Sequence, residues 1–449
     1  MTVRSSIFIL GCSVALGPHA VADTIGNDRL ATRTERPNVV LIVADDLGWN
    51  DVGFHGSEIK TPRLDALART SVVLNQFYVF PTCSPTRAAL LTGRNPSRFG
   101  ILGPLGLDPM ASLPLQTVTL AEWLGDSGYA TGLVGKWHLG PTFDFGPRRQ
   151  GFQSAYGYLH GQIDQFKHHY KTLDKSWFRD EEFIDEPGHA TDLLAREATR
   201  FIEQHRERPF FLYLAFSVPH YPLQEDESWV RPYEETTEHK DLRLNAAAVT
   251  HMDDAIGRVL DTLDRTDLRE QTLVIFTSDN GGQENWLATG YGGEHGPNER
   301  LGDNRPLRGW KGSVYEGGIR VPALVHWRGR LKPSICNSVL CATDIFPTVA
   351  GLIGKQLPTE LKLDGIDIRP ALTDENSRDD HPIYWNTGAQ KAVRVGDWKL
   401  VESRGNGTTE LFDLRTDPFE TRDQPVDEPN RVEKLRQQLH QLLCDDPRR

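Results

Sequence analysis

The chain has 449 residues, 38% hydrophobic and 25% charged, an ordinary globular composition and enough for one large domain with a smaller one attached. Its formal net charge of −12 argues against a nucleic-acid partner, which needs a basic field, while leaving room for an anionic substrate held in a local basic pocket. Five cysteines are too few for a disulfide-built scaffold: Cys12 lies in an N-terminal apolar run, and Cys336, Cys341 and Cys444 lack zinc-site spacing and allow at most one disulfide among them.

Residues 1–22 read as an export signal. Arg4 supplies the positive charge, residues 7–16 are apolar, and Ala20-Val21-Ala22 is a small-residue cleavage site. A lipoprotein anchor on Cys12 is the weaker reading, because no clear cleavage pattern precedes it. The apolar run is too short to cross a bilayer and no other segment qualifies, so no membrane span is expected. After a polar lead-in, residues 39–44 form a continuous run rich in β-branched side chains, as in a strand buried on both faces, and end at Asp45-Asp46. Residues 62–69 predict a short helix. Residues 72–80 are apolar and lead into Cys83-Ser84-Pro85-Thr86-Arg87. Pro85 suits the first turn of a helix and Ala88 to Leu91 continue it. Cys83 then sits at a helix N-terminus, which favours an anion, with Arg87 one turn along aiming its donors at the same place.

Further along, residues 120–127 predict a helix and 129–134 a strand that ends in Lys136-Trp137-His138. Residues 191–205 predict a helix and 210–216 a buried strand running into Pro219-His220-Tyr221-Pro222. Val249, Met252, Ile256, Val259 and Leu263 make a helical stripe over residues 246–263. Residues 272–276 predict a strand ending in Ser278-Asp279-Asn280, residues 321–325 another strand, and residues 344–352 a helix. This alternation is that of an α/β fold, a large mostly parallel sheet between helices over residues 23–363. Beyond residue 364 the pattern changes to short alternating strands at 391–402 and 410–413 and a closing helix at 431–443. Residues 364–449 are therefore expected to form a small C-terminal subdomain, an antiparallel sheet with one helix.

Asp45-Asp46, Lys136, His138, His220 and Asp279-Asn280 all follow predicted strands, and ligands of parallel sheets bind at the carboxyl ends of the strands. Asp45, Asp46, Asp279 and Asn280 offer hard oxygen donors. Their carboxylates would repel one another without a cation, with calcium the natural choice and magnesium the alternative. Either pair alone is an ordinary turn or cap; two pairs at equivalent strand ends point to a metal. Lys136, His138, His220 and Lys311 supply positive charge and proton transfer suited to an anionic ester, although each alone reads equally well as a loop residue.

The stretch Cys83-Ser84-Pro85-Thr86-Arg87, continued by Ala88-Ala89-Leu90-Leu91-Thr92-Gly93-Arg94, resembles the signature of type I sulfatases, in which the cysteine is oxidised to formylglycine. The resemblance runs from Pro37-Asn38-Val39 to Asp413-Leu414 and implies an alkaline-phosphatase-like sandwich. It also implies that a formylglycine-generating or sulfatase-maturing enzyme converts Cys83. One Ca2+ would be held by Asp45, Asp46, Asp279, Asn280 and an oxygen of the modified residue 83. Arg87 and Lys136 would orient the hydrated aldehyde and His138 would activate it to expel sulfate. His220 and Lys311 would bind sulfate and protonate the leaving group. The implied reaction is covalent: one hydroxyl of the hydrate attacks sulfur and releases the alcohol, and the other collapses to the aldehyde as sulfate leaves.

Within the family the loops resemble those of arylsulfatase B, the N-acetylgalactosamine-4-sulfatase. The matching stretches include Arg148-Arg149-Gln150-Gly151-Phe152, Tyr156-Gly157-Tyr158-Leu159-His160-Gly161 and Pro306-Leu307-Arg308-Gly309-Trp310-Lys311. That likeness implies a 4-O-sulfated N-acetylgalactosamine of chondroitin or dermatan sulfate as substrate. Residues 283–304, with Trp286 and His295, look longer than the family's loop and are expected to overhang the pocket. Arg300 and Arg305 either meet further anionic groups or are simply solvated. The cysteines of animal relatives are largely missing, which with the export signal implies a bacterial periplasmic or secreted enzyme. The Asn406-Gly407-Thr408 sequon is incidental in such a host. Two rival readings are a phosphonate or phosphodiester hydrolase of the same superfamily and a non-catalytic glycan-binding protein.

Overall fold

The computed structural model describes residues 1, 36–108, 110–172, 175–374, 381–405, 407–423 and 427–447. The export signal, with Cys12, and Asn406 of the sequon lie outside the described residues. The apolar runs assemble into a ten-stranded sheet. Its spatial order is Ser334–Cys336, Val72–Leu74, Ala323–His326, Thr272–Ser278, Asn38–Ala44, Phe210–Ala215, Ala130–Lys136, Ser154–Tyr158, Trp177–Arg179, Glu182–Phe183. The five strands from Thr272–Ser278 to Ser154–Tyr158 are parallel. Both edges turn antiparallel, at Ala323–His326 on one side and Trp177–Arg179 on the other. The expectation of a mostly parallel sheet thus describes the centre, and the reversed edges come from strands too short to show a period.

The Asn38–Ala44 strand is buried along its whole length, and its alternate side chains feed two separate cores. Val39, Leu41 and Val43 pack with the helices Cys83–Thr92, Leu120–Asp126 and Ile345–Leu352. Val40, Ile42 and Ala44 pack with Pro62–Ala68, Ala190–Gln204 and Lys240–Arg265. Register is what matters for function. Ala44 lies opposite Ser278 and Val43 opposite Ala215, so neighbouring strands finish level and Asp45 and Asp279 leave the sheet side by side. The Asp279 N–H donates to the Ala44 carbonyl at 3.1 Å.

The helix Lys240–Arg265 begins before its apolar stripe, in a polar first turn where Asp241 accepts from Asn298 Nδ2 at 2.9 Å and the Glu299 N–H at 2.7 Å. It also carries His251, which is buried between two carboxylates. Nδ1 is 2.8 Å from Glu225 Oε2 and Nε2 is 3.3 Å from Asp192 Oδ1. Glu225 belongs to the segment that follows His220, so this contact fixes the exit of a candidate site strand.

The C-terminal strands Ile383–Asn386, Gln390–Val395, Trp398–Ser403 and Thr409–Asp413 form an antiparallel sheet, the expected 391–402 run being folded into a hairpin at Gly396. One face takes the helix Pro429–Leu443 through Val432, Leu435 and Leu439. The other sends Trp385, Ala392, Val401 and Phe412 into the main core. Lys399 lies at this junction, with Nζ 3.0 Å from Glu316 Oε1 and 2.8 Å from Glu420 Oε1. Tyr78 donates to Glu316 Oε2 at 2.6 Å, and Glu420 Oε2 accepts the Glu316 N–H at 2.7 Å. The short helix Glu316–Ile319 is thereby clamped against the sheet edge, where Gly281 N–H donates to the Gly318 carbonyl at 3.0 Å. Cys83, Cys336, Cys341 and Cys444 are all free, so the three non-motif cysteines form no disulfide. No helix among the described residues is long and apolar enough to cross a membrane.

Two outcomes are expected. Burial pulls His251 toward the neutral form, but Asp192 and Glu225 outweigh it and raise its pKa from 6.5 to about 9. A histidine whose folded pKa is raised stabilises fully below 6.5 and stops doing so as pH rises through about 9, a contribution on the order of 3 kcal/mol. The Tm should therefore fall across that window, and H251Q should flatten the fall. K399M takes the shared ammonium from two buried carboxylates, leaving Glu316 with Arg320 at 3.7 Å; chemical denaturation should show a loss of roughly 3–5 kcal/mol.

Candidate active site

The residues singled out at the strand ends meet at one rim. Asp45 and Asp46 leave the central strand, with Asp46 in the left-handed region at φ 69° so that the pair turns over the edge. Lys136, the last residue of its strand, places Nζ 2.8 Å from both carboxylate oxygens of Asp45. Arg87 bonds Asp279 Oδ2 through Nε at 3.0 Å and Nη2 at 2.6 Å, and gives Nη1 to the Lys136 carbonyl at 3.1 Å. Lys311 Nζ lies 2.8 Å from Asp46 Oδ2, and Asn280 Nδ2 donates to Asp46 Oδ1 at 2.7 Å. The Asp46 N–H reaches Asp279 Oδ1 at 3.2 Å. Three carboxylates thus meet three cations in a space where Asp45, Lys136, Arg87, Asp279 and Asn280 have no exposed surface.

Cys83 is the first residue of the helix Cys83–Thr92, after Thr82 in extended conformation. Pro85 stands in the first turn, where its missing N–H leaves no bond unmade. The helix ends at Gly93 in the left-handed conformation, and all ten of its residues are buried. Burial raises the Cys83 thiol pKa; Lys136 and Lys311 pull it down while Asp279 and Asp45 push it up, so all four lie within electrostatic reach of the sulfur.

The two histidines have defined tautomers. His138, in the left-handed region at φ 54°, donates from Nε2 to the Leu105 carbonyl at 3.0 Å. A carbonyl can only accept, so Nδ1 carries the lone pair, and it is buried with no partner. Burial, reinforced by Lys136 and Arg87, holds this ring well below its ordinary pKa and therefore neutral. His220 donates from Nδ1 to the Tyr221 carbonyl at 2.6 Å and turns Nε2 toward Asp46 Oδ2, 3.7 Å away. Burial and then Lys311 lower its pKa to about 3.

The donor set fits a hard divalent cation. Asn280 Oδ1 is buried without a hydrogen-bond partner, an orphaned oxygen beside the three carboxylates. Asp45, Asp46 and His220 offer ligand atoms within 4.8 Å of one another. Burial lifts the Asp45 pKa to about 8 despite Lys136, with Asp279 and Asp46 pushing the same way. Burial also pushes Asp46 up, but Lys311, His220 and Lys136 overcome it and hold this carboxylate ionised. A cation among these oxygens would relieve the crowding of like charge.

Residues 283–304 pack beside this rim. Trp286 stacks on Tyr221 with ring centroids 4.6 Å apart, and His295 Nε2 lies 2.8 Å from Asp164 Oδ2. The side chain of Arg305 is spent on Asp303, on the solvated side of the two alternatives. Arg300 and Arg305 line a cavity of about 510 Å³ together with Asp51, Glu284, Glu299 and Asp303, surroundings that do not invite an anion. Sequence reasoning passed over Asn304. Its amide accepts the Gly282 N–H at 2.7 Å and donates to the Gly282 carbonyl at 2.8 Å, in the manner of a paired strand, and so fixes the backbone next to Asn280. An asparagine in a polar loop carries no signal of this.

The chain is similar to known proteins over most of its length. The family model described as Sulfatase matches residues 37–355. Human arylsulfatase A is 35% identical over 401 residues, covering 81% of this chain and 74% of that protein. Mouse arylsulfatase J is 33% identical over 405 residues, covering 82% of this chain, which spans 64% of its length. Among solved structures, Ps i-CgsB in complex with k-i-k-neocarrahexaose superposes with a TM-score of 0.83 at 30% identity, covering 92% of this chain and 94% of that one. The chain belongs to the sulfatase family, whose members hydrolyse sulfate esters.

Proposed function

We propose that this protein removes sulfate from a sulfated carbohydrate, using a formylglycine made from Cys83 and one calcium ion. The observation that carries the reading is the orphaned Asn280 oxygen among three carboxylates, near a helix-terminal cysteine within electrostatic reach of Lys136 and Lys311. Asp45, Asp46, Asp279 and Asn280 would hold the ion, together with an oxygen of the modified residue 83. When bound, it would supply Lewis-acid stabilisation of negative charge on oxygen. The maturing enzyme that converts Cys83 is an implied partner, and export to the periplasm or medium the implied setting.

The chain's own groups divide the remaining work. Lys311 and His220 would bind the sulfate, and Arg87 and Lys136 would orient the hydrated aldehyde, in a site dry enough for each charge to count. His138 Nδ1, neutral and unpartnered, is suited to take the proton of a residue-83 hydroxyl as sulfate leaves. His220 is neutral in the free protein, so it can donate to a leaving alcohol only after gaining a proton. An arriving sulfate monoester brings the negative charge that raises its pKa.

For the sugar, the loop likeness supports a 4-O-sulfated N-acetylgalactosamine in chondroitin or dermatan sulfate. A sulfated galactan is the second reading, favoured by the similarity over nearly the whole chain to a protein solved with k-i-k-neocarrahexaose. A phosphodiesterase reading stands lower, because the Lys311 segment resembles that of carbohydrate sulfatases.

Mass spectrometry of the peptide bearing residue 83, from a host with a maturing enzyme, should show loss of the thiol and gain of an aldehyde. An unmodified thiol in the native host would favour a glycan-binding role. C83A should reduce turnover on the order of 10⁴–10⁶-fold, the scale of losing a covalent nucleophile. Chelation should abolish sulfate release and calcium should restore it; recovery with magnesium alone would reassign the ion. Free sulfate from defined 4-sulfated and 6-sulfated chondroitin disaccharides and from carrageenan oligosaccharides should rank the 4-sulfated chondroitin unit first. A faster aryl phosphodiester would overturn the sulfatase reading.

A further inference from the structure

The segment 283–304, expected from the sequence to overhang the pocket, has a specific anatomy. It folds back on itself, with Trp286 bridged to Asn298 and Gly290 to His295. At the tip stands Tyr291, a bulky residue in the left-handed region at φ 55°, with Gly292 at φ 68° and Gly293 at φ 101° following it. Aromatic residues rarely adopt this conformation, and they persist in it only where the surroundings impose it.

Those surroundings converge on the candidate active site. Gln162 donates to the Tyr291 hydroxyl at 3.4 Å. Its neighbour Gly161 lies against the His138 ring, where a Cβ would come within 2.7 Å of Cε1. On the other side the Tyr291 ring is 6.4 Å from that of Tyr221, the residue after His220. Gly290 passes so close to Tyr221 that a Cβ there would lie 2.5 Å from its hydroxyl. The Trp286–Tyr221 stack and the His295–Asp164 pair hold the two arms of the loop. Tyr291 therefore bridges the segment that packs against the His138 ring and the segment that carries His220. The candidate catalytic and metal-holding groups lie deep in this site, with Asp46, His138 and His220 only 3–6% exposed, so the sugar bearing the sulfate has to rest on what surrounds them.

We propose that the Tyr291 finger, braced by Trp286 and Gln162, is a specificity-determining wall of the substrate pocket that receives the ring of the sulfated sugar. The inference rests on the sulfatase reading above and extends it to the part of the substrate beyond the sulfate. The wall is aromatic and amide in character, matching the C–H face and hydroxyls of a pyranose and not a second sulfate. Arg300 lies instead among Glu284, Glu299 and Asp303 along the separate cavity, and Arg305 is paired with Asp303.

The test compares a small aryl sulfate, 4-nitrophenyl sulfate, with sulfated di- and tetrasaccharides on the fully matured enzyme. Y291G is the informative variant, because glycine adopts the same backbone angle without strain. It should raise KM for the oligosaccharides tenfold or more, while kcat/KM for the aryl sulfate stays within twofold of wild type. Y291F, which keeps the ring and loses only the hydroxyl, should remain within threefold on both. W286A gives a second reading of the same wall and should follow Y291G. Equal losses on both substrate types would mean that the loop only supports the catalytic groups, and no change on either would mean that Tyr291 touches no substrate; each overturns the proposal. Failure of wild type on both substrate types would instead remove the sulfatase reading itself.

Discussion

Three buried aspartates at one edge of a sheet repel each other, and much of this molecule is arranged to contain that repulsion. Burial removes the water that would screen them, so each must be answered by a charge held in place. Lys136 answers Asp45, Arg87 answers Asp279, and Lys311 answers Asp46, each at hydrogen-bond distance. These cations arrive from a strand end, a helix and a loop that are remote in sequence. Compensation of charge therefore depends on elements remote in sequence packing together at this rim. The unmatched oxygen of Asn280 leaves this arrangement with one donor to spare, as a site meant to take up a cation should.

Much of this was readable from the residues because it rests on short-range rules. Continuous apolar runs ending in acids or bases mark the buried strands at 38–44, 210–215 and 272–278, and the rule that ligands gather at carboxyl ends puts Asp45, His220 and Asp279 at one edge. The helix over Cys83 followed from a proline and a run of good formers. What the sequence hid depends on long-range partners. The strands Ser154–Tyr158 and Ser334–Cys336 contain too few apolar residues to show a period. Lys240 to Asn245 lack an apolar stripe, yet they are helical, with Asp241 tied to the 283–304 loop. The role of Asn304 depends on Gly282, far from any motif of its own.

The C-terminal sheet is part of the same construction. Its Lys399 holds Glu316, and behind Glu316 the backbones of Gly281 and Gly317 approach so closely that a Cβ on Gly281 would lie 1.8 Å from the Gly317 carbonyl oxygen. Only glycine tolerates that approach. Asn280 and Lys311 are thus set by main-chain contacts on a clamped turn, and the precision of the site comes from backbone packing as much as from side chains.

The helix that begins at Cys83 is sealed from end to end, and Cys83 itself is only 2% exposed. A second protein has no open path to this side chain once the helix is covered, so the conversion proposed for Cys83 would have to come before the domain closes over it.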